Sequence, residues 1–92
     1  MRTQQLNELV KVLQIASKDK ALLEEFLKDI LTQKELEEIP TRWEIVRRLY
    51  KGEIHKDIAK DLKIGVGTVT RGSKEMKDKN GGFMKVLKKI YK

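Results

Sequence analysis

The chain has no cysteine among its 92 residues, so disulfide bonds and thiolate metal sites are excluded. It has a single histidine, His55, with no cluster of carboxylates around it, and we expect no metal site. No apolar run approaches the roughly 18 residues that a membrane span needs. The opening residues "MRTQQLNELV" also lack the apolar core of a signal peptide. We therefore expect a cytoplasmic protein with no membrane partner.

Signatures of catalysis are missing as well. The sequence has no cysteine nucleophile, no G-x-S-x-G motif and no paired carboxylates placed for acid–base chemistry. We do not expect an enzyme.

Charge is distributed unevenly along the chain. Residues 1–46 contain 7 Lys/Arg and 9 Asp/Glu, whereas residues 47–92 contain 14 and 5. The two halves carry net charges of −2 and +9, which together make the chain's +7. A strongly basic half is typical of proteins that bind nucleic acid, and the plain alternative is a solvated basic surface.

Apolar residues recur at helical spacing along the chain and no strand pattern appears, which predicts an all-α fold with about six helices. The first helix is expected over about residues 4–16, and Asp19 is the expected N-cap of the second. After the break at Asn80, a C-terminal helix is expected over residues 82–91. A single domain over residues 1–92 would have a thin core, which small helical domains often stabilise by forming dimers.

The third helix has clear boundary signals. Thr32 and Glu35 form a capping box at its start, and Gly52 ends it. Pro40 lies inside this stretch, and Thr41 begins a second capping box directly after it. We therefore expect the helix either to kink sharply or to restart at Pro40.

The segment "HKDIAKDLKIGVGTVTRGSK", residues 55–74, fits a helix-turn-helix. The short turn lacks the usual glycine at its first position, Lys63, so either Gly65 or a strained turn must compensate. An αα-hairpin that merely packs is the alternative interpretation. The apolar residues expected where the two helices cross are Ile58, Ala59, Leu62, Ile64 and Val69.

The second of these helices is expected to enter the major groove of DNA with its N-terminal, outer side. Arg71 can bond a guanine or a phosphate, the threonines can contact thymine methyls or the backbone, and lysines on the first helix can contact phosphates. The predicted DNA contacts are Lys56, Lys60, Gly65, Val66, Gly67, Thr68, Thr70, Arg71 and Lys74.

Gly72 stands three residues after Val69, at a position that is apolar in a generic helix-turn-helix. Because nothing would fill this place, we expect a small cavity beneath the second helix, floored by the helix over residues 41–51. The simpler interpretation is that glycine permits a close helix crossing.

The stretches "LTQKELEEIPTRWEIVRRLYKGE" and "GTVTRGSKEMK", within residues 31–77, resemble the bacterial tryptophan repressor family. "TRGS" in the second helix is the most specific part of this resemblance. The resemblance implies an intertwined homodimer in which helices within residues 1–31 wrap the partner. Residues 32–51 would then form a core helix, residues 55–77 the helix-turn-helix and residues 82–91 a C-terminal helix.

The resemblance also implies a ligand, L-tryptophan, acting as a co-repressor. In that family an indole ring lies between two arginine side chains, whose positions here are Arg42 and Arg71. Glu75 stands where the family has a serine near the ligand's ammonium group, so it would either pair with that charge or crowd the site. The implied ligand-binding residues are Leu31, Thr32, Arg42, Ile45, Arg71, Gly72 and Glu75.

Taken together, these features predict a sequence-specific transcriptional repressor that binds double-stranded DNA as a homodimer. Two reading helices about 34 Å apart require a palindromic operator. Gating by L-tryptophan or a similar ligand is one hypothesis. The alternative is a ligand-independent DNA-binding module of the same fold, of the origin-binding or nucleoid type. Trp43, the single tryptophan, is expected in the core or a dimer interface rather than in the ligand site.

Overall fold

The computed structural model describes residues 2–91, with side chains from residue 3 onward. Every regular element in this range is an α-helix, which confirms the all-α prediction. The chain divides between Glu38 and Ile39 into two compact units. Within the described residues no helix is both long and apolar enough to cross a membrane. The helices are α1 Arg2–Ala16, α2 Lys20–Ile30, α3 Gln33–Tyr50, α4 His55–Leu62, α5 Val66–Met76 and α6 Gly82–Ile90.

The first unit contains α1, α2 and the start of α3, and its helix boundaries follow the predicted caps. The Asp19 carboxylate accepts hydrogen bonds from the backbone N–H groups of Ala21 (3.0 Å) and Leu22 (3.5 Å). Thr32 and Glu35 bond each other's backbone N–H groups at 3.1 and 2.8 Å, which confirms the first capping box. Each cap satisfies N–H groups that have no partner within the helix.

Helix α3 runs without a break from Gln33 to Tyr50 and contains Pro40 in its interior. The predicted restart at Pro40 is therefore wrong. Proline removes one backbone hydrogen bond, at a cost of about 3 kcal/mol. In the part of α3 that follows Pro40, Ile45 and Val46 are each only 1% exposed. Burial of two such side chains contributes about 1.5–3 kcal/mol each, which stabilises the part of α3 that follows Pro40.

The second unit is built around the helix-turn-helix. Four buried residues, Ile45, Ile58, Ala59 and Val69, form its centre, so α3 supplies a surface on which both α4 and α5 pack. Leu49, Leu62 and Ile64 are partly buried against this cluster. All five residues predicted at the helix crossing thus lie in or against the core.

The turn between α4 and α5 shows how the missing glycine is replaced. Lys63 adopts a left-handed conformation, with φ 58° and ψ 46°, and its N–H bonds the carbonyls of Ala59 and Lys60. Gly65, in contrast, has an ordinary φ of −73°. The strained turn is therefore the correct alternative, and Gly65 does not compensate.

Helix α6 is held against the rest of this unit at its middle and its far end. Leu87 is fully buried. Just beyond the helix, the Tyr91 ring stacks on Tyr50 with a centroid separation of 6.0 Å. The Lys51 ammonium lies 4.9 Å from the same ring, a cation–π contact.

Candidate nucleic-acid interface

The outer face of α5 and the turn before it are open to solvent. All the predicted DNA contacts are exposed except Thr70, which is half-buried. A side chain built at Gly65 or Gly67 would meet no atom within 4 Å, so the backbone here can be approached closely. The structure therefore brings these residues to one surface of the helix-turn-helix, and their contact with DNA stays a prediction.

Three carboxylates near the helix-turn-helix, those of Glu44, Glu53 and Asp61, pair with arginines of α3. Glu44 makes two bonds to Arg47, at 3.0 and 2.6 Å, and this pairing holds the pKa of the Glu44 carboxyl below its usual range. Within residues 3–91, Lys56, Lys60 and Lys74 make no ion pair. Their positive charges are left available to a polyanion.

Arg48 of α3 forms ion pairs with α4 and with the segment between the two helices. Its guanidinium donates to Glu53 in the connecting segment (2.7 Å) and to Asp61 of α4 (2.6 Å). The hydrogen bonds to Asp61 and Glu53 raise the pKa of Arg48 above its usual value. Sequence reasoning missed this role, because Arg48 and Asp61 come together only when the two helices pack.

A small cleft, the Gly72 cleft, lies beneath α5. It brings together five residues of the implied ligand site: Arg42, Ile45, Arg71, Gly72 and Glu75. The other two, Leu31 and Thr32, belong to the first unit, where Thr32 caps α3. Three further lining residues were not foreseen, since no local pattern marks them: Val46, Thr68 and Phe83.

The expected empty space under Gly72 is filled by Ile45. A β-carbon at Gly72 would lie 2.9 Å from the Cγ2 atom of Ile45, which is closer than carbon atoms approach in proteins. The volume left in the cleft is about 20 Å³, and one water needs roughly 10–15 Å³. The expected cavity is therefore present only as a small cleft with room for about one water, and its role as a ligand site stays a prediction. Glycine lets α5 approach α3 closely, and the β-branched side chain from below occupies the gap, as close packing of interiors favours.

Arg71 and Glu75 stand one helical turn apart at the mouth of the cleft. The Arg71 Nε atom lies 3.9 Å from a Glu75 carboxylate oxygen, and both side chains are more than half exposed. Such a pair is weak in water. Arg71 can therefore leave Glu75 for a phosphate or a base.

A second hollow, the apolar groove, opens on the α6 side of the unit. It is lined by Trp43, Gly82, Phe83, Val86 and Ile90 and has an open volume of about 750 Å³. The Trp43 and Phe83 ring centroids are 6.5 Å apart, and Val86 and Ile90 are 46% and 55% exposed. Trp43 is thus half-buried in an apolar surface and does not line the Gly72 cleft, and its place in a dimer interface stays a prediction.

No metal centre accompanies these sites. Within the described part of the chain, no three His, Asp or Glu side chains come close enough to hold a metal ion.

The sequence matches the Trp repressor protein family over residues 4–91. This match extends well beyond residues 31–77 and includes α1, α2 and α6. The chain is also similar to curated proteins named Trp operon repressor homolog. It is 36% identical over 78 residues to that of Vibrio campbellii, covering 84% of this chain and 74% of the relative. The Vibrio parahaemolyticus protein is 36% identical, with 84% and 72% covered. The Vibrio vulnificus protein is 42% identical over 52 residues, with 55% and 51% covered.

Proposed function

This chain belongs to the Trp repressor family and is a DNA-binding transcriptional regulator, and we propose that it represses transcription as a homodimer on a palindromic operator. The observation that carries the proposal is the surface of the helix-turn-helix: exposed Arg71, two unobstructed glycines and three lysines that make no ion pair within residues 3–91. Because the proposed partner is chromosomal DNA, the proposed location is the bacterial cytoplasm.

The role of α5 in DNA binding is tested with a DNA duplex that the protein selects from a pool of random sequences. Arg71→Ala should lose about 1–3 kcal/mol of binding in each half-site, because a base or phosphate contact is removed. The matched variant Arg71→Lys keeps the charge but not the planar fork, so it should lose discrimination between sequences more than total affinity. Lys60→Ala should weaken binding to all sequences alike and lower the salt slope by about one unit for each phosphate that is no longer neutralised. Unchanged affinity of Arg71→Ala for the selected duplex would show that α5 does not read DNA.

A second copy of the chain is the proposed occupant of the exposed apolar surfaces. In the first unit Leu6 and Leu22 are 60% and 46% exposed, and in the second unit the apolar groove lies open. The described residues bury only seven apolar side chains, a thin core for a chain of 92 residues. Association buries these surfaces and holds two α5 helices at the spacing of one DNA turn, about 34 Å.

We also propose L-tryptophan as the co-repressor, bound at the Gly72 cleft between Arg42 and Arg71. Guanidinium planes stack well on an aromatic ring because they are planar and weakly hydrated. Ile45 fills the place of the ring, so the ligand must select a form in which this side chain has moved. Such a change in α3–α5 packing would alter the position of the reading helix.

The filled cleft favours a second candidate, a regulator that binds DNA without any ligand. Calorimetry with L-tryptophan distinguishes the two. A gated repressor should bind the amino acid in the micromolar to millimolar range, which corresponds to about −8 to −4 kcal/mol, and should bind its selected duplex more tightly when tryptophan is present. If tryptophan gives no heat of binding and the protein binds its selected duplex equally tightly with and without tryptophan, the protein is the ligand-independent regulator.

A further inference from the structure

Phe83 lies in the first turn of α6 and lines both hollows of the second unit. On one side its ring faces Trp43 across the apolar groove, with centroids 6.5 Å apart. On the other side it forms a wall of the Gly72 cleft, together with Ile45 and Arg71. Among the residues described as lining these two hollows, Phe83 alone is shared by both.

We propose that Phe83 couples the association of two copies to the Gly72 cleft. A second copy seated on the apolar groove would fix the ring, and the fixed ring would then hold one wall of the cleft. This inference rests on the proposed homodimer and adds to it a positioning role for one residue.

The first turn of α6 is the weakly held end of that helix. Its N-cap is Gly81, which supplies no side-chain hydrogen bond to the free N–H groups of the first turn. The middle is anchored by fully buried Leu87, and the far end by the stacking of Tyr91 on Tyr50. The half-buried Phe83 ring, packed near Trp43, is one of the contacts that hold the first turn in place.

Covering the apolar groove with a second copy would reduce the conformational freedom of the Phe83 ring. While one side of Phe83 faces solvent, the ring has fewer neighbours than a core residue and more conformational freedom. Interface cores are packed as densely as protein interiors, so a second copy removes that freedom. Arg71 and Thr68 of the reading helix line the same cleft. Association would thus order part of the DNA-reading surface as well as pair the two reading helices.

The test is a double-mutant cycle that uses the methyl NMR signals of Ile45, the side chain under Gly72, as the reporter of the cleft. Val86 lines the groove but not the cleft and is 46% exposed, so Val86→Glu should block association without touching the cleft. An unpaired carboxylate in an apolar interface should weaken association at least about 100-fold. The four proteins are wild type, Val86→Glu, Phe83→Leu and the double variant. Signals are assigned with Ile45→Val, and sedimentation of the same samples gives the state of association.

Coupling through Phe83 predicts that the Ile45 methyl signals differ clearly between associated wild type and monomeric Val86→Glu. Phe83→Leu should still associate. The difference in Ile45 methyl signals between Phe83→Leu and the double variant should be less than half of the difference between wild type and Val86→Glu. If wild type associates but its Ile45 methyl signals match those of monomeric Val86→Glu, the coupling is overturned and the proposed homodimer stands. A chain that stays monomeric at every concentration overturns the proposed homodimer and the coupling with it.

Phe83→Met is the second variant in case leucine does not support the fold, since its flexible side chain fills a similar volume. Thermal melts establish that each variant is folded. Equal Ile45 differences in the wild-type and Phe83→Met backgrounds would also overturn the coupling, provided that both proteins associate.

Discussion

Gly67 and Gly72 occupy the same helix, yet their surroundings are opposite. A β-carbon at Gly67 would meet nothing within 4 Å, whereas one at Gly72 would lie 2.9 Å from Ile45. We expect Gly72→Ala to lower the free energy of unfolding by up to about 2 kcal/mol. Overpacking costs about 1–3 kcal/mol, and the better helix propensity of alanine returns about 1 kcal/mol. Urea denaturation of both proteins measures the difference.

The matched control for this substitution is Gly67→Ala, which should raise the free energy of unfolding by up to about 1 kcal/mol because only the propensity changes. Ile45→Leu removes the Cγ2 atom, so combining it with Gly72→Ala should restore part of the loss. If Gly72→Ala is as stable as Gly67→Ala, the close crossing of α5 over α3 does not exist in solution.

At the scale of elements, the turn between α4 and α5 stores strain in Lys63. A left-handed conformation costs a residue with a β-carbon about 1–2 kcal/mol, and glycine avoids this cost but loses more entropy on folding. We expect Lys63→Gly to raise the free energy of unfolding by up to about 1 kcal/mol. Lys63→Ala removes the same charge but keeps the β-carbon, so it should give no gain. Equal denaturation midpoints for the two variants would contradict a strained turn.

At the scale of the whole molecule, the proposed homodimer makes stability depend on protein concentration. The melting temperature should rise as the concentration increases, and sedimentation at micromolar concentration should give about twice the chain mass. Trp43 is the only tryptophan and lies in the apolar groove, so its emission should shift to shorter wavelength on association. A cooperative melt that is independent of concentration, with unshifted Trp43 emission, would contradict the homodimer.

The sequence by itself determined the features that depend on neighbouring residues. Helical periodicity, the Asp19 cap and the Thr32–Glu35 capping box are local, and the structure confirms each of them. The helix-turn-helix core is also local, because Ile58 and Val69 are separated by one short turn that leaves few ways to pair them. The helix-turn-helix and the basic half also predicted DNA binding, and the family resemblance on "TRGS" added what these patterns do not specify, namely the intertwined homodimer and the co-repressor.

Only the tertiary structure decided which contacts form between segments that are distant in sequence. Helix α3 continues through Pro40, although the capping box that follows this proline made a new helix start one of the two expected outcomes. Ile45 fills the space under Gly72, and Phe83 joins the Gly72 cleft to the apolar groove. These outcomes depend on which side chains meet when α3, α5 and α6 pack, because the shape of a gap between helices is a property of their contact and is encoded in neither helix alone.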